Sequence, residues 1–307
     1  MIPLFPKFKK MSVSDRSFVD DRTRLQPPYS TFNFTNLWSW DTREDRMLSI
    51  LNDNLVVRFS DYSNAEPFFS FFGTNACENT AHQLLQHAEE LKVSPKLRFV
   101  SEESTALLLD SKLCLAEDRD SFDYIFSTTE LAEAQGAKFK ARRNHARQFL
   151  REYPNAKFEI REFRDPSTQE QITSVIRLWE TKKKKEGKIY DPCHEENAIR
   201  RLMHTAESHS LTFSCVTILN VMVGFSIDEI LHDGYALAHF VKADVSFKGI
   251  YEFLNENVAK YLITNQIQLW NWQQDLNIPG LRKLKMSYKP VGFLKKFFVM
   301  RSDSLRR

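Results

Sequence analysis

The chain has 307 residues, 42% of them hydrophobic and 27% charged, with a net charge of +3. Its length is material for about two domains, and 25 Phe against 8 Gly leave ample core and little low-complexity linker. No stretch approaches the roughly 18 uninterrupted apolar residues of a membrane-spanning helix, and residues 1–11 lack the continuous apolar run of a secretion signal.

In chain order, Leu37–Trp40 reads as the end of a short helix. Met47–Leu51 and Leu55–Phe59 flank Asn52-Asp53-Asn54 and form a predicted hairpin, with Pro67–Phe72 a third strand. Asn79–Leu91 carries Leu84, Leu85, Ala88 and Leu91 at helical spacing. A strand at Leu97–Val100, a short helix at Glu103–Leu109 and a strand at Tyr124–Phe126 follow. One long helix is expected from Thr128 to Tyr153, stopped by Pro154. Then come a strand at Ala156–Phe163 and helices at Ser167–Lys184 and about 195–207. Strands at Thr212–Leu219, Val221–Ile230 and Tyr235–Val241 lead to a helix at Gly249–Ile263. A strand at Ile267–Trp272, a helix near Leu281–Tyr288 and a strand at Leu294–Met300 close the chain.

Three antiparallel strands, a helix, a strand, a helix and a strand thus occur twice. There is no sequence repeat at a fixed period, so the duplication rests on element order. The boundaries expected are a domain over 1–127, a bridging helix over 128–154 and a second domain over 155–307. This is the order of the GNAT-type N-acetyltransferase fold. The fold class is therefore α/β (α+β): two tandem domains, each a mixed, mostly antiparallel sheet flanked by helices. Another mixed α+β sandwich is the competing reading. In the GNAT fold strands four and five splay apart and the acyl donor lies in the gap.

In acetyl-CoA enzymes a glycine-rich loop before the next helix cradles the pyrophosphate with backbone N–H groups. Here the loop is Ser246-Phe247-Lys248-Gly249-Ile250-Tyr251. One glycine is present, and Tyr251 stands where a second small residue belongs, which disfavours acetyl-CoA. Lys248 and the helix N-terminus remain candidates for a phosphate or carboxylate, against a plain helix-starting turn. In a helix from Leu281, Leu281, Leu284 and Tyr288 share an apolar face, and Arg282, Lys285 and Lys289 form a cationic stripe on another. Trp270, Asn271 and Trp272 alternate on the preceding strand. Rings beside cations suit an adenosine or an RNA acceptor end; core tryptophans beside a solvated helix are the bland alternative.

Asp275 closes that strand and is a candidate to hold a substrate amino group or orient Arg282, or to form an Asx turn. Glu229 and His239 lie on adjacent antiparallel strands, and a His–carboxylate pair is a candidate general base. On the long helix, Lys140, Arg143, Arg147 and Arg151 make a basic row that would guide an RNA backbone or simply face solvent. No metal motif is present: His194-Glu195-Glu196 lacks a second His, and Cys77, Cys114, Cys193 and Cys215 have no ligand spacing. Scattered cysteines read as reduced thiols.

Four stretches carry a resemblance: FNFTNLWSW (Phe32–Trp40), Asp123–Pro154, Val223–Ile230 with Lys242–Leu262, and WNWQQDLNIPGLRKLKMSYKPVGF (Trp270–Phe293). Together they resemble the phosphatidylglycerol lysyltransferase C-terminal domain family over nearly the whole chain. The Asp-x3-Pro-Gly-Leu-Arg-Lys-x-Lys-x-Ser-Tyr-x-Pro string is the most specific part. The resemblance implies a pair of acyltransferase-fold domains and kinship with transferases that take an amino acid from aminoacyl-tRNA. The best-known relatives place lysine on a lipid and carry a large membrane-embedded region ahead of this domain. This sequence has none, so the acceptor, a small molecule or a lipid head group, stays open.

The leading expectation is a transferase of the aminoacyl or acyl class. Its donor is aminoacyl-tRNA or acyl-CoA, its acceptor an amine or hydroxyl, and it needs no cofactor. It is expected to be cytoplasmic, with peripheral membrane contact as a variant, and to meet a tRNA acceptor end. The alternatives are a non-catalytic nucleotide- or RNA-binding module and a conventional acyl-CoA N-acyltransferase.

Overall fold

The structure is a computed structural model that describes residues 1–61, 64–109, 111–185 and 192–302, without the side chains of residues 182–185, 192 and 193. The Cys193 side chain therefore lies outside the described residues. The chain divides into two compact units. The first comprises residues 1–123, 274–282 and 293–307, and the second residues 124–273 and 283–292.

The first unit holds two sheets. One is antiparallel, in the order Lys9–Lys10, Met47–Leu51, Asn54–Ser60, Pro67–Phe72. Its hairpin turns on Asn52 and Asp53, both at positive φ, a backbone region that Asn and Asp tolerate. The other sheet places the C-terminal strand Lys296–Arg301 between Leu97–Ser101 and Leu113–Glu117. Helix Cys77–Glu90 buries Ala81, Leu84, Leu85 and Ala88 in a core shared with Val56, Phe69, Phe71, Leu97, Val100 and Val299. Leu84, Leu85 and Ala88 of the expected stripe are thus buried, whereas Leu91 caps the helix and is exposed.

A seven-stranded sheet has the order Gly292–Leu294, Asp123–Ser127, Leu269–Asn271, Tyr235–Ala243, Val221–Ile230, Leu211–Ile218, Ala156–Arg161. Helices Pro166–Lys185, Pro192–His204 and Ile250–Thr264 accompany it. The element order expected for each half is present, with each final strand exchanged. Strand Asp123–Ser127 closes the first half yet pairs with Leu269–Asn271 of the second. Lys296–Arg301 closes the second half yet pairs with Leu97–Ser101 and Leu113–Glu117 of the first.

Three expectations need correction. Leu113–Glu117 is a strand that the sequence reading passed over. Leu284 is exposed, so the apolar face drawn through it on helix Pro279–Ser287 does not hold. The single helix expected over 128–153 is two helices, Thr128–Glu133 and Lys140–Glu152, linked by a short 3-10 turn. Ala134 is left-handed (φ 47) and Gly136 has φ 79, so the first helix ends there and the chain restarts. Phe139, Ala146 and Phe149 are buried.

Candidate functional site

Strand Tyr235–Ala243 is the centre of the second unit's site. On one side it pairs antiparallel with Val221–Ile230 from Ala236 to Ala243. On the other it pairs in parallel with Leu269–Asn271 at Tyr235, Ala236 and Leu237. Ala238–Ala243 therefore run past the last parallel pair, where the two strands diverge. The departing chain is held by its own side chains. Buried Asn271 accepts the Gln273 N–H at Oδ1 (2.7 Å), and Gln273, at φ 58, donates Nε2 to the carbonyls of Ala238 (2.5 Å) and His239 (3.3 Å).

His239 Nε2 is 3.1 Å from Glu229 Oε2, and both side chains are buried. The register pairs Ile227 with Phe240 and Asp228 with Ala238, leaving His239 as the extra residue of a β-bulge. A bulge re-aims a side chain, here beside Glu229.

Two buried groups on these strands were missed in the sequence. Asp228 is fully buried and accepts from Ser226 Oγ (2.6 Å) and from Trp270 Nε1 (2.9 Å). Burial pushes its carboxyl up to about 7, the two hydrogen bonds opposing the rise. Its one signal was an acidic residue directly after the run VGFSI and beside Glu229. Lys242, also buried, has Nζ 2.7 Å from Glu195 Oε2 and 3.7 Å above the Trp179 ring.

The structure redistributes the proposed donor-binding residues. Trp270 is wholly buried on Asp228 and is a core ring, not a stacking platform. Trp272 is half-buried among Phe126, Trp270 and Tyr288. Lys285 is buried and donates to the Trp272 carbonyl at 2.5 Å. Lys289 is exposed beyond the helix end, at φ 57. Arg282 forms a two-pronged ion pair with Asp275 (2.8 and 2.9 Å) and reaches Asp120 (2.6 Å). The cationic stripe of Arg282, Lys285 and Lys289 is thus not one surface: one member is paired, one buried and one off the helix. Asp275 is fully buried in the first unit, where it also meets Arg119 (3.3 Å) and closes an Asx turn on the Asn277 N–H (3.0 Å). Of its expected roles, this geometry supplies the orientation of Arg282 and the turn.

The loop at Gly249 is not an open cradle. Gly249 has φ 84, and a Cβ there would lie 2.2 Å from the His145 carbonyl oxygen. Helix Lys140–Glu152 therefore packs against this backbone, where a pyrophosphate would need access. Tyr251 Oη accepts the Ala243 N–H at 3.2 Å, occupying a donor of that strand, and burial raises its phenol pKa. Lys248 is exposed. The corresponding first-half loop differs, because a pocket lined by Thr74, Ala76, Cys77 and Leu107 among others opens beside it. A Cβ on Gly73 would sit 2.2 Å from Asn54 Oδ1, and Asn54 holds both the N–H and the carbonyl of Asn75. In the basic row, Arg143 turns back to cap the carbonyls of Ala134 and Gly136, while Lys140, Arg147 and Arg151 stay exposed. Among the described residues no cluster of His, Cys, Asp and Glu is placed to hold a metal, and no helix is long and apolar enough to cross a membrane.

The profile of the phosphatidylglycerol lysyltransferase C-terminal family matches residues 22–300. The chain belongs to this family. Among solved structures, a conserved protein of unknown function from Bacteroides thetaiotaomicron is 26% identical, with a TM-score of 0.81 over 97% of this chain and 99% of that one. The C-terminal domain of a putative lysylphosphatidylglycerol synthetase from Agrobacterium fabrum is 11% identical, with a TM-score of 0.67 over 95% and 93%. A tandem GNAT protein from the clavulanic acid biosynthesis pathway is 9% identical, with a TM-score of 0.50 over 95% and 97%. No curated protein matches. The chain is thus an acyltransferase-fold protein of the tandem GNAT type within the lysyltransferase family.

Proposed function

We propose that this chain transfers an aminoacyl or acyl group to an amine or hydroxyl acceptor, and that its donor is a charged tRNA rather than acyl-CoA. The observation that carries this is the strand segment Ala238–Ala243 beyond its last parallel pair, with the buried His239–Glu229 pair at its root and the Gly249 loop filled by protein. The donor carbonyl lies along this strand segment, where fixed dipoles polarise it. The acceptor heteroatom attacks the carbonyl carbon and His239 takes its proton. Collapse of the tetrahedral species breaks the ester, and the proton passes to the departing tRNA hydroxyl. Glu229 fixes the orientation of the imidazole. Exposed Lys140, Arg147 and Arg151 meet the RNA backbone.

The test follows label from tRNA charged with radioactive amino acids into a pool of phospholipid and small-amine acceptors. His239→Gln is expected to slow transfer about a hundredfold or more while leaving affinity for charged tRNA within roughly twofold. Turnover of acetyl-CoA by the wild type, or unchanged transfer by His239→Gln, overturns the reading. Binding of charged tRNA without transfer would leave an RNA-binding module.

A further inference from the structure

Lys242 sits in an arrangement built for an ammonium ion. Its Nζ is 3.7 Å above the Trp179 ring and 2.7 Å from a Glu195 oxygen, which places one cation on an aromatic face and against a carboxylate at once. Trp179 and Glu195 belong to helices Pro166–Lys185 and Pro192–His204, whereas Lys242 comes from the strand segment that runs past its last parallel partner. The Lys242 and Glu195 side chains keep 11% and 13% of their surface, so the pair lies just below solvent. Lysine carries a compact charge on a flexible four-carbon stem, so its head can leave while its stem stays packed.

We propose that Trp179 and Glu195 form an ammonium-binding subsite, that Lys242 fills it in the resting protein, and that a ligand's own ammonium group displaces Lys242. The ligand class is a primary ammonium on a short aliphatic chain. Ring and carboxylate together select it over an alcohol, which offers the ring no charge, and over a carboxylic acid, which Glu195 repels. The inference concerns binding alone and stands or falls without the transfer reaction.

The experiment compares n-propylammonium chloride binding to wild type and Lys242→Met by calorimetry at fixed ionic strength. Sodium chloride and n-propanol serve as controls. Methionine keeps the volume of the stem and removes the charge. Lys242→Met is expected to bind n-propylammonium at least tenfold more tightly than wild type. Adding Glu195→Gln to that variant should abolish the gain, and n-propanol should bind neither protein. Equal affinity in wild type and Lys242→Met overturns the proposal, as does a gain that survives Glu195→Gln. Should Lys242→Met fail to give a native circular dichroism spectrum, Lys242→Gln enters the same comparison with the same deciding outcomes.

Discussion

Asp228 accepts two hydrogen bonds and carries a carboxyl raised from 3.8 to about 7, because burial costs its charged form more than those bonds return. A carboxyl raised on folding stabilises the protein fully below its unfolded value near 3.8, and that stability is lost as pH rises through about 7. Asp228→Asn can keep both partners without a charge. Between pH 3.5 and 8 its stability should therefore shift relative to wild type by up to about 4 kcal/mol in its favour. Urea denaturation at several pH values checks this; parallel curves would refute it. Lys296 behaves differently. It is fully buried, and burial lowers its ammonium pKa against the pull of Asp123 at 2.7 Å. Asp123 also accepts the Ser30 N–H and hydroxyl, both at 2.6 Å. Lys296→Met leaves that carboxylate without its cation and should cost about 3–5 kcal/mol by urea denaturation.

Helices Lys140–Glu152 and Ile250–Thr264 meet where Gly249 approaches the His145 carbonyl. Gly249→Ala adds a Cβ at 2.2 Å from that oxygen and at a φ of 84. It should destabilise the protein by more than the roughly 1 kcal/mol of an ordinary left-handed penalty, and hydrogen exchange should rise along Lys140–Glu152. Protection equal to wild type would mean the helices are not packed as described. On helix Pro279–Ser287 the contrast runs the other way. Leu284 is 51% exposed, so Leu284→Ala should change stability by no more than about 0.5 kcal/mol. Alternation and helical spacing made most elements readable, because a half-buried surface imposes its period on the sequence. The short basic helix escaped that logic. Its Lys285 buries a long stem and reaches the Trp272 carbonyl, so charge there did not report exposure.

The exchange of Asp123–Ser127 and Lys296–Arg301 governs the molecule as a whole. Each half ends in a strand that completes the other half's sheet. A fragment of residues 1–127 lacks the strand between Leu97–Ser101 and Leu113–Glu117, and a fragment of residues 128–307 lacks the partner of Leu269–Asn271. Unpaired inner strands leave backbone groups and apolar faces uncovered. Neither fragment alone should give a cooperative thermal transition, and mixing the two during refolding should restore one. A cooperative transition from either fragment alone would overturn this expectation.

By itself the sequence determined most of the element order, the tandem acyltransferase fold and the family, because periodicity, turn residues and the Trp270–Phe293 string are local properties of the chain. It also placed Glu229 and His239 on adjacent strands, and Tyr251 at an obstructing position. Tertiary structure alone decided which charges are buried. Asp228 and Lys242 became candidates and Trp270 became core, because burial and partner choice depend on residues far away in sequence. The strand exchange was equally hidden: a strand's own pattern specifies that one face is covered, not which neighbour its backbone will find.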